Sequence, residues 1–204
     1  MVDKAAMEAL LSSLIQQLHL KGVTVEFFIT PQGDRKQTLL LKVPLKAIAI
    51  LQNERNSIVI ALPDLYPKNK AFPHISFQEL EIGIYKILDD ALRSKGIDDT
   101  RLKSRFKVFC FKHDLEALIL AADDDALKSR LGVKTLVRDW TIPVEDQNQD
   151  KPPKKVVEQL FENYQLTYRG TVDAPIILGA SNYQDIATRC PQCFKPFIDF
   201  LESL

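Results

Sequence analysis

The chain is poor in glycine, with seven in 204 residues, and that scarcity argues against a whole class of enzymes. A phosphate-cradling loop needs closely spaced glycines ahead of a helix. The nearest approach, residues 169–181, RGTVDAPIILGAS, lacks both the lysine and the spacing. No serine or histidine stands in the context of a nucleophile elbow. Cysteine is sparser still. Three cysteines, an odd number, do not make a secreted disulfide scaffold and fit a reducing compartment. No apolar run approaches the roughly eighteen residues that a membrane helix needs. The opening residues, MVDKAAMEALLSSLIQQLHL, carry charges and amides at helical spacing and no small-residue cleavage site, so they do not read as a secretory leader. A dominant charge is missing too, since Lys plus Arg and Asp plus Glu stand at 27 each. No net basic field exists to attract a phosphate backbone, and a chain near neutrality gains from association with a partner. These absences point to an intracellular protein, cytoplasmic or nuclear, off the membrane, whose partner is another protein or a second copy of itself.

What is present is patterning. Hydrophobic residues make up 46% of the chain and charged ones 26%, enough for a core without metal or disulfide staples. Met7, Leu10, Leu11, Leu14 and Leu18 repeat at helical spacing, and Gly22 sits where a left-handed residue closes a helix. The period then drops to two: Val23, Val25, Phe27 and Ile29 alternate with Thr24, Glu26 and Phe28, which predicts a strand. A turn at 31–34, a second strand over 38–43 antiparallel to the first, and a third over 57–62 follow. Residues 45–51 fit strand or helix. Prolines between 63 and 73 are expected to block helix and ladder alike. Helices are expected over about 80–95 and 114–131, a strand over 107–111, an extended piece around Trp140, a short helix from Val156, extended chain over 167–179 and a final helix opened by Pro196.

Leu62, Pro63, Tyr66, Pro67, Pro73 and Ile75, following a helix and three strands, resemble the LPxxYPxxxPxI segment of the RWD family, relatives of the ubiquitin-conjugating enzymes, with two extra residues before the last proline. The resemblance implies an α+β fold: an N-terminal helix, an antiparallel meander sheet and then helices. The division that follows is an RWD-like domain over 1–144, a linker or long loop at 145–155 (EDQNQDKPPKK), and a C-terminal α/β extension over 156–204. It also implies a function. Conjugating enzymes carry a His-Pro-Asn tripeptide ahead of a nucleophilic cysteine; this chain has none, and relatives without that chemistry are protein-docking modules. The enzymatic alternative rests on Cys110, which lies in an apolar strand pattern where an inert thiol is the default.

The remaining chemistry gathers near the end of the chain, at Cys190-Pro191-Gln192-Cys193. With Cys110 and His113, spaced alike, these make a Cys₃His set, the donor composition of a closed structural zinc site. Against it, the two pairs lie far further apart than those of a compact zinc ribbon. An unliganded turn and a reactive dithiol are the other readings of CPQC, the dithiol favoured by the following helix N-terminus and disfavoured by how little chain follows. A basic run, Arg101, Lys103, Arg105 and Lys107, offers a third function: a small zinc-stabilised nucleic-acid binder. Asp123, Asp124 and Asp125 read as a solvated helix break.

Overall fold

The computed structural model describes residues 2–29, 35–66, 72–147 and 150–204. The turn expected at 31–34 and the expected role of Pro67 fall outside them. In chain order the elements are α1 (Val2–Leu10), α2 (Ser12–Leu20), α3 (Arg35–Asn53), β1 (Val59–Ala61), α4 (Phe77–Ser94), α5 (Thr100–Ser104), β2 (Phe106–Val108), α6 (Glu116–Leu120), α7 (Asp124–Leu131), α8 (Pro153–Asn163), α9 (Gly170–Gly179), α10 (Tyr183–Arg189) and α11 (Phe194–Glu202), with a single 3₁₀ turn at Val144–Asp146. Helix takes 59% of the described residues and strand 4%, so the expected α+β meander gives way to a mostly helical protein. Two compact units result: Thr30–Lys112, and Met1–Ile29 together with His113–Leu204.

In the unit Thr30–Lys112, residues 38–43 lie inside α3 and are not a strand. Leu40, Ala47, Ile48 and Leu51 are buried at a spacing of one helix face, and that stripe outweighs Pro44 in the middle of the helix. β1 falls within the expected third strand, but its partner is β2, in parallel, with Val59 opposite Phe106 and Ala61 opposite Val108. A parallel pair needs a long crossover, and the segment carrying α4 and α5 supplies it. The ladder does not stop at the prolines. Phe111 N–H donates to Pro63 O at 3.0 Å and Tyr66 N–H to Lys112 O at 3.1 Å, because proline lacks a donor but keeps its acceptor. The Tyr66 hydroxyl donates to Ile75 O at 3.2 Å. α4 forms on the stripe Leu80, Ile84, Leu88 and Leu92, capped by Ser76, whose hydroxyl accepts from Glu79 N–H.

In the other unit, Met7, Leu10, Leu11, Leu14 and Leu18 are all buried, as their spacing requires, and Gly22 takes φ 83° after α2; the strand expected over residues 23–29 does not form, since those residues pair with no described strand. α9 overturns the extended chain expected over 167–179. It packs on α1 closely enough that a Cβ at Gly179 would lie 3.2 Å from Ala9 Cβ. Its buried Asp173 receives Nε of Arg130 at 2.7 Å, with Nη2 of Arg130 and the Arg169 N–H as further donors. A single helix expected over 114–131 breaks into α6 and α7 at residues 121–123. Arg138 donates to Leu120 O and Ala122 O at 3.0 and 2.8 Å, Trp140 to Leu120 O at 3.1 Å, and Arg189 to Ala121 O and Ala122 O at 2.8 and 3.0 Å. These distant donors satisfy carbonyls that the end of α6 leaves without helical partners. No described helix is long and apolar enough to cross a membrane.

Candidate functional site

The CPQC turn is built around one carboxylate. Glu145 is 2% exposed, and its side chain accepts the backbone N–H of Gln192, of Cys193 at 2.8 Å and of Phe194 at 3.2 Å. These amides lead into α11, so Glu145 supplies the acceptor that a helix start otherwise lacks. Gln192 Nε2 adds a bond to Asp146 Oδ1 at 2.6 Å, and Lys195 N–H donates to Cys190 O at 2.9 Å. Glu145 was read as the polar start of a linker. In a run such as EDQNQD nothing local distinguishes a solvated carboxylate from one that caps a helix nearly fifty residues on.

That carboxylate shapes the thiols. Burial pushes the Cys190 thiol well above its usual range, and the charges of Glu145 and Cys193 push it further against Arg189, which lowers it. The helix N-terminus that would have activated a dithiol is already occupied by an anion from within the chain. The three cysteines are buried and form no disulfide. Of the four residues expected to form a zinc site, His113, Cys190 and Cys193 belong to one unit and Cys110 to the other. His113 Nε2 lies 3.3 Å from the Glu145 carbonyl, so three of the four are neighbours of a single residue. Among the described residues no three His, Cys, Asp or Glu side chains gather in a group that could hold a metal.

A second polar centre was not foreseen. Asp114 lies just ahead of α6 and Glu116 opens it. The Tyr168 hydroxyl donates to Glu116 Oε1 at 3.3 Å. Asp114 keeps one buried carboxylate oxygen without a hydrogen-bond partner. Burial first, then the charge of Glu116, raises its pKa to about 7, with Lys154 opposing. Burial and Glu116 likewise raise the Tyr168 phenol. The pairing of Asp114 and Glu116 was visible in the sequence as KHDLE, but their burial was not.

The basic run in the first unit is largely spent inside it. Arg105 donates to Leu51 O, Glu54 O and Ser57 O at 2.7, 2.8 and 3.1 Å, tying the end of α3 to β2, and Lys103 pairs with Asp89 at 2.8 Å. Each aspartate of the 123–125 run has its own base: Arg189, Arg138 and Lys128. The exposed feature is apolar. Leu20 is 82% exposed and Phe28 80%, at the two ends of the stretch that leaves α2, and Ile29 adds to them.

Residues 3–202 match the family described as "Domain of unknown function (DUF4276)", and the chain belongs to that family. No curated protein and no solved structure matches it. The resemblance to the RWD family is therefore withdrawn: the family match lies elsewhere, and the antiparallel meander on which the resemblance depended is replaced by one parallel pair.

Proposed function

We propose that this chain is a non-enzymatic protein–protein interaction module, a subunit that works by holding a partner. The observation that carries this reading is the exposure of large apolar side chains, Leu20 and Phe28 most of all, with Val137, Ile82 and Ile75 exposed elsewhere on the surface. The charge balance of 27 against 27 supports it, since nothing in the net charge repels a partner or a second copy. The conjugating-enzyme reading finds little support, because Cys110 is 1% exposed and a transfer thiol must meet its substrate. The nucleic-acid reading loses Lys103 and Arg105 to internal bonds.

One observation favours a second reading. A half-buried carboxyl with a pKa near 7 beside another carboxylate is the kind of group that transfers protons in enzymes, and Asp114 with Glu116 has that character. The two readings separate by experiment. Affinity capture from the native source, with light scattering on the purified chain, should yield a stoichiometric complex that forms equally well with Asp114→Asn. A strictly monomeric chain with no stoichiometric partner contradicts the module; an activity abolished by Asp114→Asn establishes the second reading in its place.

A further inference from the structure

Ser13, Gln17 and Lys21 recur every four residues, so α2 and the residue that ends it present them on one face. All three are exposed, while the neighbouring Leu14 and Leu18 are buried. That face lines a cleft of about 460 Å³. Asn182 and Gln184, at the start of α10, and Glu202, which ends α11, line it as well, and all belong to the same unit. The volume falls within the span of about 300–1,000 Å³ that small-molecule sites occupy. Two opposite charges stand in this cleft without pairing. The Lys21 ammonium donates to the backbone carbonyl of Glu202 at 3.4 Å and meets no carboxylate among the described residues. The Glu202 carboxylate is held through Oε1, which accepts the Tyr183 hydroxyl at 3.0 Å and Gln184 Nε2 at 3.1 Å. Burial, then the bond to Glu202, raises the Tyr183 phenol, so that hydroxyl stays a donor. Glu202 Oε2 and the side chains of Ser13 and Gln17 have no partner among the described residues.

We propose that this cleft binds a free α-amino acid with an uncharged polar side chain, its ammonium on Glu202 and its carboxylate on Lys21. The site goes beyond the interaction-module reading and does not depend on it. A ligand of one charge would engage one of the two groups and leave the other in water. An α-amino acid carries both charges on one carbon and meets both, through charge-assisted hydrogen bonds. Tyr183 and Gln184 already hold the Glu202 carboxylate, so less side-chain freedom is lost when a ligand arrives. The ligand's own side chain is set by what remains. With Lys21 and Glu202 engaged, no charged lining residue is left to balance a third charge, and Leu14 and Leu18 are too deeply buried to receive an apolar group. Ser13 and Gln17, along the same face as Lys21, offer a hydroxyl and an amide, which match a side-chain amide or hydroxyl.

The test is a titration of the full chain followed by amide-resolved NMR. L-glutamine, added up to about 10 mM, should shift the resonances of Gln17, Lys21, Asn182 and Gln184. N-acetyl-glutamine, which lacks the ammonium, and the α-amide of glutamine, which lacks the carboxylate, should each bind about three- to tenfold more weakly, between the worth of an exposed ion pair and that of a charge-assisted hydrogen bond. Leucine, whose side chain offers no hydrogen bond, should also bind more weakly. Glu202→Gln should remove the preference over the N-acetyl compound, and Lys21→Met the preference over the α-amide. Both positions are exposed, so neither change reaches the core. No shift at those four residues, equal binding of glutamine and any of the three comparison compounds, or preferences unchanged in either variant overturns the inference.

Discussion

Two stretches of the same unit, the CPQC turn and residues 23–29, make opposite uses of their backbone. At the turn three successive amides converge on Glu145, a carboxylate buried to 2% exposure. From Thr24 to Ile29 no amide finds a described partner, although the side chains from Val23 to Phe28 alternate between half-buried and exposed. The turn carries the residues that invite a chemical reading, two thiols and a helix start, yet it is closed from within. The other stretch carries nothing reactive, and its amides find no acceptor among the described residues.

The comparison breaks first at Glu145. Glu145→Ala leaves buried N–H groups without an acceptor and should cost roughly 3–5 kcal/mol in urea unfolding. Glu145→Gln, which keeps an acceptor oxygen, should cost less, and a loss below about 1 kcal/mol would show that the turn does not depend on this carboxylate. Next in size is Arg130→Ala, which strands the fully buried Asp173 carboxylate inside α9 and should cost about 3 kcal/mol by the same measurement.

Asp114 sharpens the contrast through pH. Its folded pKa, near 7, stands above that of the unfolded chain, so the fold binds a proton that the unfolded chain has released between about pH 4 and pH 7. Stability attributable to this group therefore falls as pH rises through that window. Asp114→Asn should be nearly neutral at pH 4 and should stabilise by on the order of 2 kcal/mol at pH 8, read from thermal melts at the two pH values. A variant equally stable relative to the parent at both pH values would remove Asp114 from the account. The smallest effect is expected at Phe28: Phe28→Thr should change stability by less than about 0.5 kcal/mol, since the ring is exposed.

What was legible in the sequence follows from the range of the forces involved. The stripe of Met7, Leu10, Leu11, Leu14 and Leu18, the helix at α4 and the left-handed Gly22 are local, and they were readable. α3 was missed because Pro44 and the leucine-rich alternation around it masked the buried set Leu40, Ala47, Ile48 and Leu51. α9 was missed because Gly170 and Pro175 read as interruptions, whereas tertiary packing on α1 and the Arg130 bond to Asp173 decide its conformation. The break between α6 and α7 depends on Arg138, Trp140 and Arg189 reaching back along the chain, and no window of sequence contains that. At the candidate sites the residue types were visible and their environments were not. Glu145 looked solvated and is buried; Arg105 looked available and is bonded to three carbonyls.

Native-state hydrogen exchange on the free chain tests the contrast most directly. The account predicts that the amides of Thr24, Val25, Glu26, Phe27 and Phe28 exchange nearly as fast as in an unfolded peptide, while those of Gln192, Cys193 and Phe194 exchange only when the unit opens. Strong protection at the first set, or rapid exchange at the second, would contradict it.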